Sequence, residues 1–502
     1  MTHKASILIA AAMAILLHAA TAAAQTDPKA TVTALARIIK NHQKSVVDPF
    51  VEKTFSKFRK DAEVATGIAD AYFYNAKDTA QAFKYINAAI AANAAHVPAY
   101  LLAGEIMQHE YYSDTTVALN WYRQGIKAVP ADPQCYIKYA KLISRINYDY
   151  AISMLEEMRT AIPSYPTDLE IARLCDELTS NYIDANVNRQ RALEYFTKAA
   201  PADMTPHDMS VYCAYLSVTK SWGKMNEVAA YGHAKWKRAA DFTRYLFWAN
   251  AEMKNYKEAL AYADTLFYHS DSVKTDLRDY QYCAIAYSGL NQHGKAIEMF
   301  EKLMNTNITD EGKRNCVQNI ANSYKNMGDY DNALAKYREY LDLCEAADAV
   351  VPADYIGLAN IYNDIAFEKN VNERIEPLKK ADEIYGIIES KFTDNTNYLT
   401  LAIYNRIRMN VSIDNYQNGD KLKGYARPHA EKLATLLMGK TERSRAENLR
   451  LAYAYDYLAF YHFKTMSNRR RDYPIIRRYC EQAIELNPES TYAPQILNIV
   501  NK

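Results

Sequence analysis

Arginine side chains are concentrated near the C-terminus, in the stretch NRRRDYPIIRRYC. The cluster comprises Arg469, Arg470, Arg471, Arg477 and Arg478. Guanidinium groups form paired hydrogen bonds with phosphate and carboxylate, so this cluster could bind lipopolysaccharide, a phosphate group or an acidic protein tail. Because the stretch is short and Asp472 interrupts it, a solvated loop with the helix after it is the alternative interpretation.

Tryptophans are concentrated in a second region. Trp222, Trp236 and Trp248 are three of the 4 tryptophans and fall within 27 residues. Trp236 stands between Lys235 and Lys237, and such a polar neighbourhood would leave its ring free to stack on a sugar or on a peptide side chain. Core packing between helices is the alternative interpretation.

No residue pattern typical of catalysis occurs in the sequence. The motifs H-E-x-x-H and G-x-S-x-G and the glycine-rich phosphate loops are missing, and there are only 14 glycines. His109 and Glu110 form an isolated pair, and Glu156 and Glu157 fall on the solvated side of an amphipathic helix. We therefore predict that the protein is not an enzyme and holds no metal or cofactor. An active site built from loops is the alternative.

The 7 cysteines are scattered and form no C-x-x-C pair. We interpret them as small buried hydrophobic residues, with oxidation in an exported protein as the alternative. They are Cys135, Cys175, Cys213, Cys283, Cys316, Cys344 and Cys480.

Composition narrows the class of protein further. The 60 basic and 59 acidic residues nearly cancel, which argues against a nucleic-acid partner. A chain of 502 residues exceeds one ordinary core, and 42 tyrosines indicate that one packing unit is copied many times.

The first 24 residues have the pattern of a signal peptide. Lys4 precedes the apolar stretch from Ile7 to Leu17, and Ala22 to Ala24 offers a cleavage site before Gln25. No later apolar run is long enough to span a bilayer, so we expect no transmembrane segment in the mature chain. We predict a periplasmic protein of a Gram-negative bacterium, with full secretion as the alternative.

The segment IANSYKNMGDYDNALAKYREYL predicts two helices joined by a tight turn. Large and small apolar residues recur at helical spacing on both sides of Gly328 and Asp329, which suit a helix end and a helix cap. Two helices approach closely only where side chains are small, so Ala321 and Ala333 should mark their crossing.

The second-helix alanine recurs at a mean interval near 36 residues. The anchors are Ala82, Ala118, Ala151, Ala192, Ala259, Ala296 and Ala333, with Val228 as a weaker one. The series stops after Ala333, although helical patterns continue in pairs at about 353–391, 395–438 and 443–486.

This repeat resembles the tetratricopeptide repeat (TPR), a helix-turn-helix unit of about 34 residues. Ala118, Tyr122, Gly125 and Pro130 in ALNWYRQGIKAVP match the second-helix pattern of that family, and Ala483 in AIELNPES matches its end. The resemblance implies an all-α, right-handed α-solenoid of ten to eleven repeats in an exported bacterial protein. We expect a signal peptide at 1–24, a flanking helix at 25–60 interrupted at Pro49, repeats at 61–345, diverged repeats at 346–488 and a capping helix at 489–502.

In TPR proteins the first helices line a concave groove. The resemblance implies that a series of amide side chains occupies the groove-lining positions in this sequence. Amides can donate to and accept from a peptide backbone, and some TPR grooves use asparagines in this way. The corresponding positions are Gln281, Asn315, Gln318, Asn319, Asn322, Lys325, Asn326, Asn360 and Asn363. A plain polar helix surface is the alternative, although Asn is a poor helix former.

These observations predict a non-enzymatic scaffold or adaptor that binds protein or peptide segments in its groove during envelope assembly or secretion. The main alternative is a carbohydrate- or nutrient-binding helical protein of the envelope. Those relatives usually carry a lipid-modified cysteine and long loops, and neither pattern is found in this sequence.

Overall fold

The computed structural model describes residues 27–501 apart from 111–113, 180–184, 238 and 269–274, so the predicted signal peptide lies outside the described residues. All regular secondary structure in the described residues is helical. The first helices in chain order are α1 (Pro28–Asn41), α2 (Lys44–Phe55), α3 (Ala62–Ala76), α4 (Thr79–Ala92), α5 (Val97–Glu110), α6 (Thr116–Ala128), α7 (Pro133–Ile143), α8 (Tyr148–Ala161), α9 (Thr167–Thr179), α10 (Ala185–Lys198), α11 (Pro206–Val218) and α12 (Trp222–Lys235). They are followed by α13 (Ala240–Glu252), α14 (Tyr256–Tyr268), α15 (Leu277–Gly289), α16 (His293–Met304), α17 (Asp310–Asn326), α18 (Tyr330–Ala346), α19 (Pro352–Glu368), α20 (Ile375–Lys391), α21 (Thr396–Asn418), α22 (Arg427–Met438), α23 (Arg445–Thr465), α24 (Arg469–Leu486) and α25 (Ala493–Val500).

These helices are the tandem pairs of an α-solenoid. The helices from α3 to α24 follow one another as first and second helices of successive pairs, and within each unit the main contacts join helices that are neighbours in sequence. The chain forms two compact units, one up to Phe242 and one from Thr243 onward. This division falls inside α13.

The turn between α17 and α18 has the predicted chemistry. Gly328 has a left-handed backbone with φ of 77°, which a residue without a Cβ adopts at little cost. Asp329 caps α18, because its carboxylate accepts a hydrogen bond from the backbone N–H of Asn332 at 3.3 Å. The predicted helix pair is therefore confirmed.

The alanines are buried between the paired helices. Ala321 and Ala333 are both 0% exposed and belong to one buried cluster with Tyr337 and Val317. A side chain this small lets the backbones approach, while the tyrosine fills the space beside the contact. The other predicted alanine anchors are equally buried: Ala82, Ala118, Ala151, Ala192, Ala259 and Ala296.

The interpretation that the alanine anchor is lost between Ala333 and the last repeat is wrong. Ala381 in α20 and Ala430 in α22 are fully buried, as is the predicted Ala483 in α24. The helices α19, α20 and α21 have 17, 17 and 23 residues, compared with 14 in α8. Because the helices lengthen, the alanines no longer recur at the earlier interval, although the small contact is kept.

The predicted helix interruption at Pro49 is also wrong. Pro49 lies inside α2, and the break in the flanking segment falls between Asn41 and Lys44. Pro49 is the sixth residue of α2, where it removes the backbone hydrogen bond that its N–H would donate, and the helix nevertheless continues to Phe55. The flanking segment therefore contains two helices, and α1 packs against α3.

The seven thiols are buried and form no disulfide in the structure. Burial raises the pKa of the Cys316 thiol to about 11 and that of Cys135 to about 12, so both are neutral near pH 7. They pack as small apolar side chains, as the scattered pattern predicts.

Arginine–aspartate pairs connect successive first helices, and sequence reasoning missed them. The guanidinium of Arg173 in α9 donates to both oxygens of Asp208 in α11, at 2.9 and 2.7 Å. In the second unit, Arg244 of α13 pairs in the same way with Asp279 of α15 at 3.2 Å. Each aspartate also caps its own helix, accepting from a backbone N–H three residues earlier at 2.8 Å.

Replacing Ala333 by leucine should destabilise the second unit. The added carbons must enter a close helix contact, and overpacking of this kind typically costs about 1–3 kcal/mol. Denaturant unfolding measures the loss. Ala335→Leu, on the exposed side of the same helix, is the matched control. Equal stability of the two variants would show that Ala333 is not at a crossing.

Replacing Asp279 by alanine should cost more, about 3–5 kcal/mol, because Arg244 would lose a buried partner. The indole N–H of Trp248, which donates to Asp279 at 2.8 Å, would lose its acceptor as well. Asp331→Ala, which removes an exposed acid in the first turn of α18, should change stability by less than about 0.5 kcal/mol. A denaturation midpoint for Asp279→Ala that equals this control would contradict the assigned role.

Candidate functional site

A groove runs across the faces of α1, α3, α5 and α7 in the first unit. Its volume is about 940 Å³, and its lining comes from α1, from the first helices of three successive pairs and from the residues just before them. We call it the N-terminal groove. Its lining residues include Asp27, Lys29, Val32, Asp61, Glu63, Val64, Thr66, Gly67, Asp70, His96, Pro98, Leu101, Leu102, Glu105, Gln134 and Lys138.

Acidic side chains outnumber basic ones in this groove, and several are already engaged. Asp27 and Asp61 cap α1 and α3, accepting backbone N–H groups at 3.0 to 3.3 Å. Glu105 accepts from the ammonium of Lys138 at 2.6 Å. Glu63 and Asp70 have no basic side chain within 4.0 Å among the described residues. These two carboxylates are therefore available to a cationic ligand.

Asp70 lies in a partly desolvated position. Burial by its surroundings, and then the negative charge of Glu105, raise the pKa of the Asp70 carboxyl above its usual value of 3.8. The same two influences raise the pKa of Tyr74, which is 49% exposed. The groove therefore has a negative electrostatic potential that no described basic side chain beside Asp70 neutralises. A positive charge placed here would stabilise the ionised form of Asp70.

His96 is a neutral hydrogen-bond donor in the groove wall. Its Nε2 lies 3.0 Å from the Thr66 hydroxyl, and that hydroxyl donates to the Ala62 carbonyl at 2.9 Å. Thr66 can therefore only accept from His96, which assigns the proton to Nε2. Burial lowers the pKa of His96, so the imidazole is neutral near pH 7 and presents Nδ1 as an acceptor.

Apolar side chains form the floor of the groove. Val64 and Leu102 are buried, and Val32 packs beside them from α1. A Cβ added at Gly67 would lie 2.6 Å from the Val32 side chain, so glycine allows α1 to approach α3 closely. The groove thus combines an apolar floor with a few polar groups, an arrangement typical of ligand clefts.

The amides predicted on α17 share an exposed face. Asn315, Asn319, Asn322 and Asn326 are all exposed, at the spacing of one helix side. One amide N–H of Asn319 donates to the Asn315 carbonyl at 2.7 Å. Gln318 is half-buried and interacts with the Tyr337 hydroxyl of α18, so it faces the partner helix.

The remaining predicted amides lie on α15 and α19. Gln281 and Asn360 are exposed, whereas Asn363 is half-buried. Lys325 of α17 forms an ion pair with Asp364 of α19 at 3.4 Å, so these two first helices adjoin at the predicted positions. Asn363 lines a separate cavity of about 250 Å³, described below, which the other predicted amides do not line.

Trp236 is half-buried between the end of α12 and the start of α13. Its ring stacks on Phe242 at 5.8 Å between centroids, and the ammonium of Lys235 lies 4.7 Å from its centre. Trp248 is buried and donates to Asp279. Trp236 and Trp248 therefore lie in different surroundings, one half-buried and the other in the core. One face of the Trp236 ring is covered by Phe242.

The described arginines of the C-terminal cluster do not converge on one point. Arg471 donates to Asp472 and to the Ser467 hydroxyl, both at 2.8 Å. Arg477 donates to Asn501 at 2.7 Å and to the Val500 carbonyl at 3.0 Å, and so holds the end of α25. The side chains of Arg469 and Arg470 lie outside the described residues.

The described part of the chain has neither a metal-binding cluster nor a membrane-spanning helix. No group of three or more His, Cys, Asp or Glu side chains is placed to hold a metal ion there. No helix there combines the length and the apolar character needed to cross a membrane.

The residues that sequence reasoning missed are those of the N-terminal groove and of the smaller cavity. Glu63 and Asp70 belong to an ordinary-looking helical segment, AEVATGIADAYFYNA. The only sequence signal is that neither acid has a Lys or Arg three or four residues away on its helix.

Comparison with known proteins adds one family match. The tetratricopeptide repeat family matches residues 316–348, a segment of α17, α18 and the turn between them. No curated protein matches the chain.

Several solved structures resemble the chain at low identity. The C-terminal part of a TPR repeat-containing protein from Cytophaga hutchinsonii is 17% identical, covering 57% of this chain and 99% of that one, with a TM-score of 0.43. A tetratricopeptide repeat protein from Parabacteroides merdae is 12% identical, covering 52% and 98%, with a TM-score of 0.27. A signal-transduction ATPase with a tetratricopeptide repeat sensor from Pyrococcus horikoshii is 13% identical, covering 94% and 70%, with a TM-score of 0.33. The helix pair α17–α18 is the part of this chain that is similar to the tetratricopeptide repeat family itself.

Proposed function

We propose that this protein is a non-enzymatic scaffold or adaptor that holds segments of other proteins against the first helices of its repeats. The observation that supports this most is the N-terminal groove, whose volume of about 940 Å³ exceeds what one side chain would fill. Its walls come from successive first helices, so a bound segment would contact several repeats at once.

The partner segment for this groove is extended and carries Lys or Arg side chains. Glu63 and Asp70 supply carboxylates without a basic partner in the described residues, and Leu101 with Leu102 supplies apolar contact. A long cationic side chain can lay its methylenes on the apolar floor while its charge meets Asp70. The electrostatic attraction also speeds association.

The amide face of α17 and α19 is the second proposed binding surface. It lies entirely within the second unit. Asn319, Asn322 and Asn360 are exposed and can both donate to and accept from the backbone of an extended segment. Binding at this surface would have low sequence specificity, because backbone groups are common to all residues.

A role in envelope assembly or secretion, in the periplasm, is part of the same proposal. It rests on the signal-peptide pattern of residues 1–24, with Lys4 before an apolar stretch and alanines at the cleavage point.

The double variant Glu63→Gln and Asp70→Asn should weaken binding of an extended Lys- and Arg-containing peptide to the whole protein. Partly exposed charge pairs contribute about 0.2–1 kcal/mol each, so the loss of two should weaken binding roughly twofold to thirtyfold, measured by fluorescence anisotropy. Binding should also weaken as pH falls through the raised pKa of Asp70, because protonation removes its charge. The control Asp149→Asn and Glu157→Gln makes the same charge change on α8. Equal affinity for the two double variants would exclude the groove.

The triple variant Asn319→Ala, Asn322→Ala and Asn360→Ala tests the amide face. Pulldown from a periplasmic extract, with mass-spectrometric identification, should recover a defined protein with the wild type and lose it with the variant. Gln318→Ala serves as the comparison, because the Gln318 side chain faces Tyr337 of the partner helix and not the amide face. Full retention of the partner by the triple variant would rule out this surface.

A further inference from the structure

The cavity of about 250 Å³ in the second unit is lined by two arginines and no acid. We call it the arginine pocket. It lies between α19, α20, α21 and α23 and is lined by Asn363, Ala366, Phe367, Arg374, Leu378, Arg408, Met409, Val411, Ser412, Tyr416 and Tyr453. Its volume suits a group the size of a small molecule rather than a folded partner.

Arg408 carries a charge that no carboxylate neutralises in the described part of the chain. Its hydrogen bond is to the Asn405 amide oxygen, at 3.5 Å, and its guanidinium lies 5.8 Å from the centre of the Tyr404 ring. No Asp or Glu oxygen lies within 4.0 Å of it. Two residues earlier on the same helix, Arg406 shows the usual arrangement, paired with Asp382 at 2.9 Å and Glu389 at 2.7 Å.

Arg374 brings the second positive charge and is held firmly in place. Its guanidinium donates to the Lys369 carbonyl at 2.9 Å and to the Tyr416 hydroxyl at 3.1 Å. These partners are neutral, and no described carboxylate lies within 4.0 Å. The side chain is therefore positioned at the pocket without having its charge cancelled.

The acids near the pocket have other partners. The carboxylate of Asp414 accepts the backbone N–H groups of Lys423, Gly424 and Tyr425, at 2.6 to 3.3 Å. Asp364 pairs with Lys325, and Glu368 accepts from a tyrosine hydroxyl. None of these acids lines the pocket.

Phenol rings and an exposed phenylalanine complete the walls. Tyr453 packs edge to face on Tyr404 at 5.2 Å, and burial raises the pKa of Tyr453 to about 12, so it is a neutral hydroxyl near pH 7. Phe367 is 63% exposed beside the pocket. Arg408 is an exposed residue, so the site is open to solvent on that side, and the aromatic side chains displace only part of the water beside the two guanidinium groups.

We propose that the arginine pocket binds the oxyanion of a small ligand, a phosphate or a carboxylate. Guanidinium groups present paired donors that match both anions, and Asn363, Ser412 and Tyr416 add neutral hydrogen-bonding groups to the lining. The pocket is separate from the N-terminal groove, and binding there does not depend on capture of a protein segment.

Isothermal titration calorimetry of the full chain with inorganic phosphate, and separately with malonate, tests the proposal. One of the two should bind with a Kd below about 1 mM, and the stronger one identifies the source of the oxyanion. Arg408→Gln should weaken this binding at least tenfold, and Arg408→Lys should weaken it less, because the charge is kept and the paired donors are lost.

Arg445→Gln is the matched control, since it removes one exposed arginine of the second unit outside the pocket. It should bind as the wild type does. Circular dichroism spectra and thermal midpoints of all variants establish that they fold. The proposal is wrong if neither anion binds by 10 mM, or if Arg408→Gln and Arg445→Gln have the same affinity.

Discussion

The contact between two helices at a buried alanine is the constraint on which the rest of this structure depends. Ala321 in α17 and Ala333 in α18 are fully buried in one cluster, and side chains this small allow two helices to approach closely while tyrosine fills the space beside them. A helix pair closed in this way buries one side of its first helix and leaves the other side open. Copying the pair along the chain repeats the open side, so exposed first-helix surfaces arise from the packing rule itself.

Ion pairs between successive first helices then fix the spacing from one first helix to the next, and with it the spacing of their open sides. Arg173 with Asp208, and Arg244 with Asp279, each connect a first helix to the next one along the chain. In both cases the aspartate also caps its own helix, so the helix start and the spacing between repeats are set by one carboxylate. Losing that carboxylate would disturb both at once, which is why a buried pair of this kind is sensitive to change.

Local patterns could be predicted from the sequence, and contacts between repeats could not. The helix pair around Gly328 follows from period and turn chemistry, which involve residues close in the chain. Ala381 and Ala430 were not predicted as anchors, because longer helices changed the interval between successive alanines while the buried alanine itself was kept. The N-terminal groove and the arginine pocket each draw on three or more helices, and only the fold brings those together. One feature of the pocket can be seen in the sequence. Arg408 has no acid three or four residues away to pair with on its helix, whereas Arg427 has Glu431.

A net charge of +1 conceals two local fields of opposite sign. In the first unit, Glu63 and Asp70 leave negative charge in the groove, whereas in the second unit Arg374 and Arg408 leave positive charge in the pocket. Salt screens charges beyond about 8 Å at physiological ionic strength, so a ligand responds to the field of its own site and not to the sum over the chain. Near-neutral composition therefore argues against a polyanionic partner for the whole protein, while each site can still select its ligand by charge. A solenoid suits this arrangement, because its repeats contact mainly their neighbours and each can carry its own set of side chains.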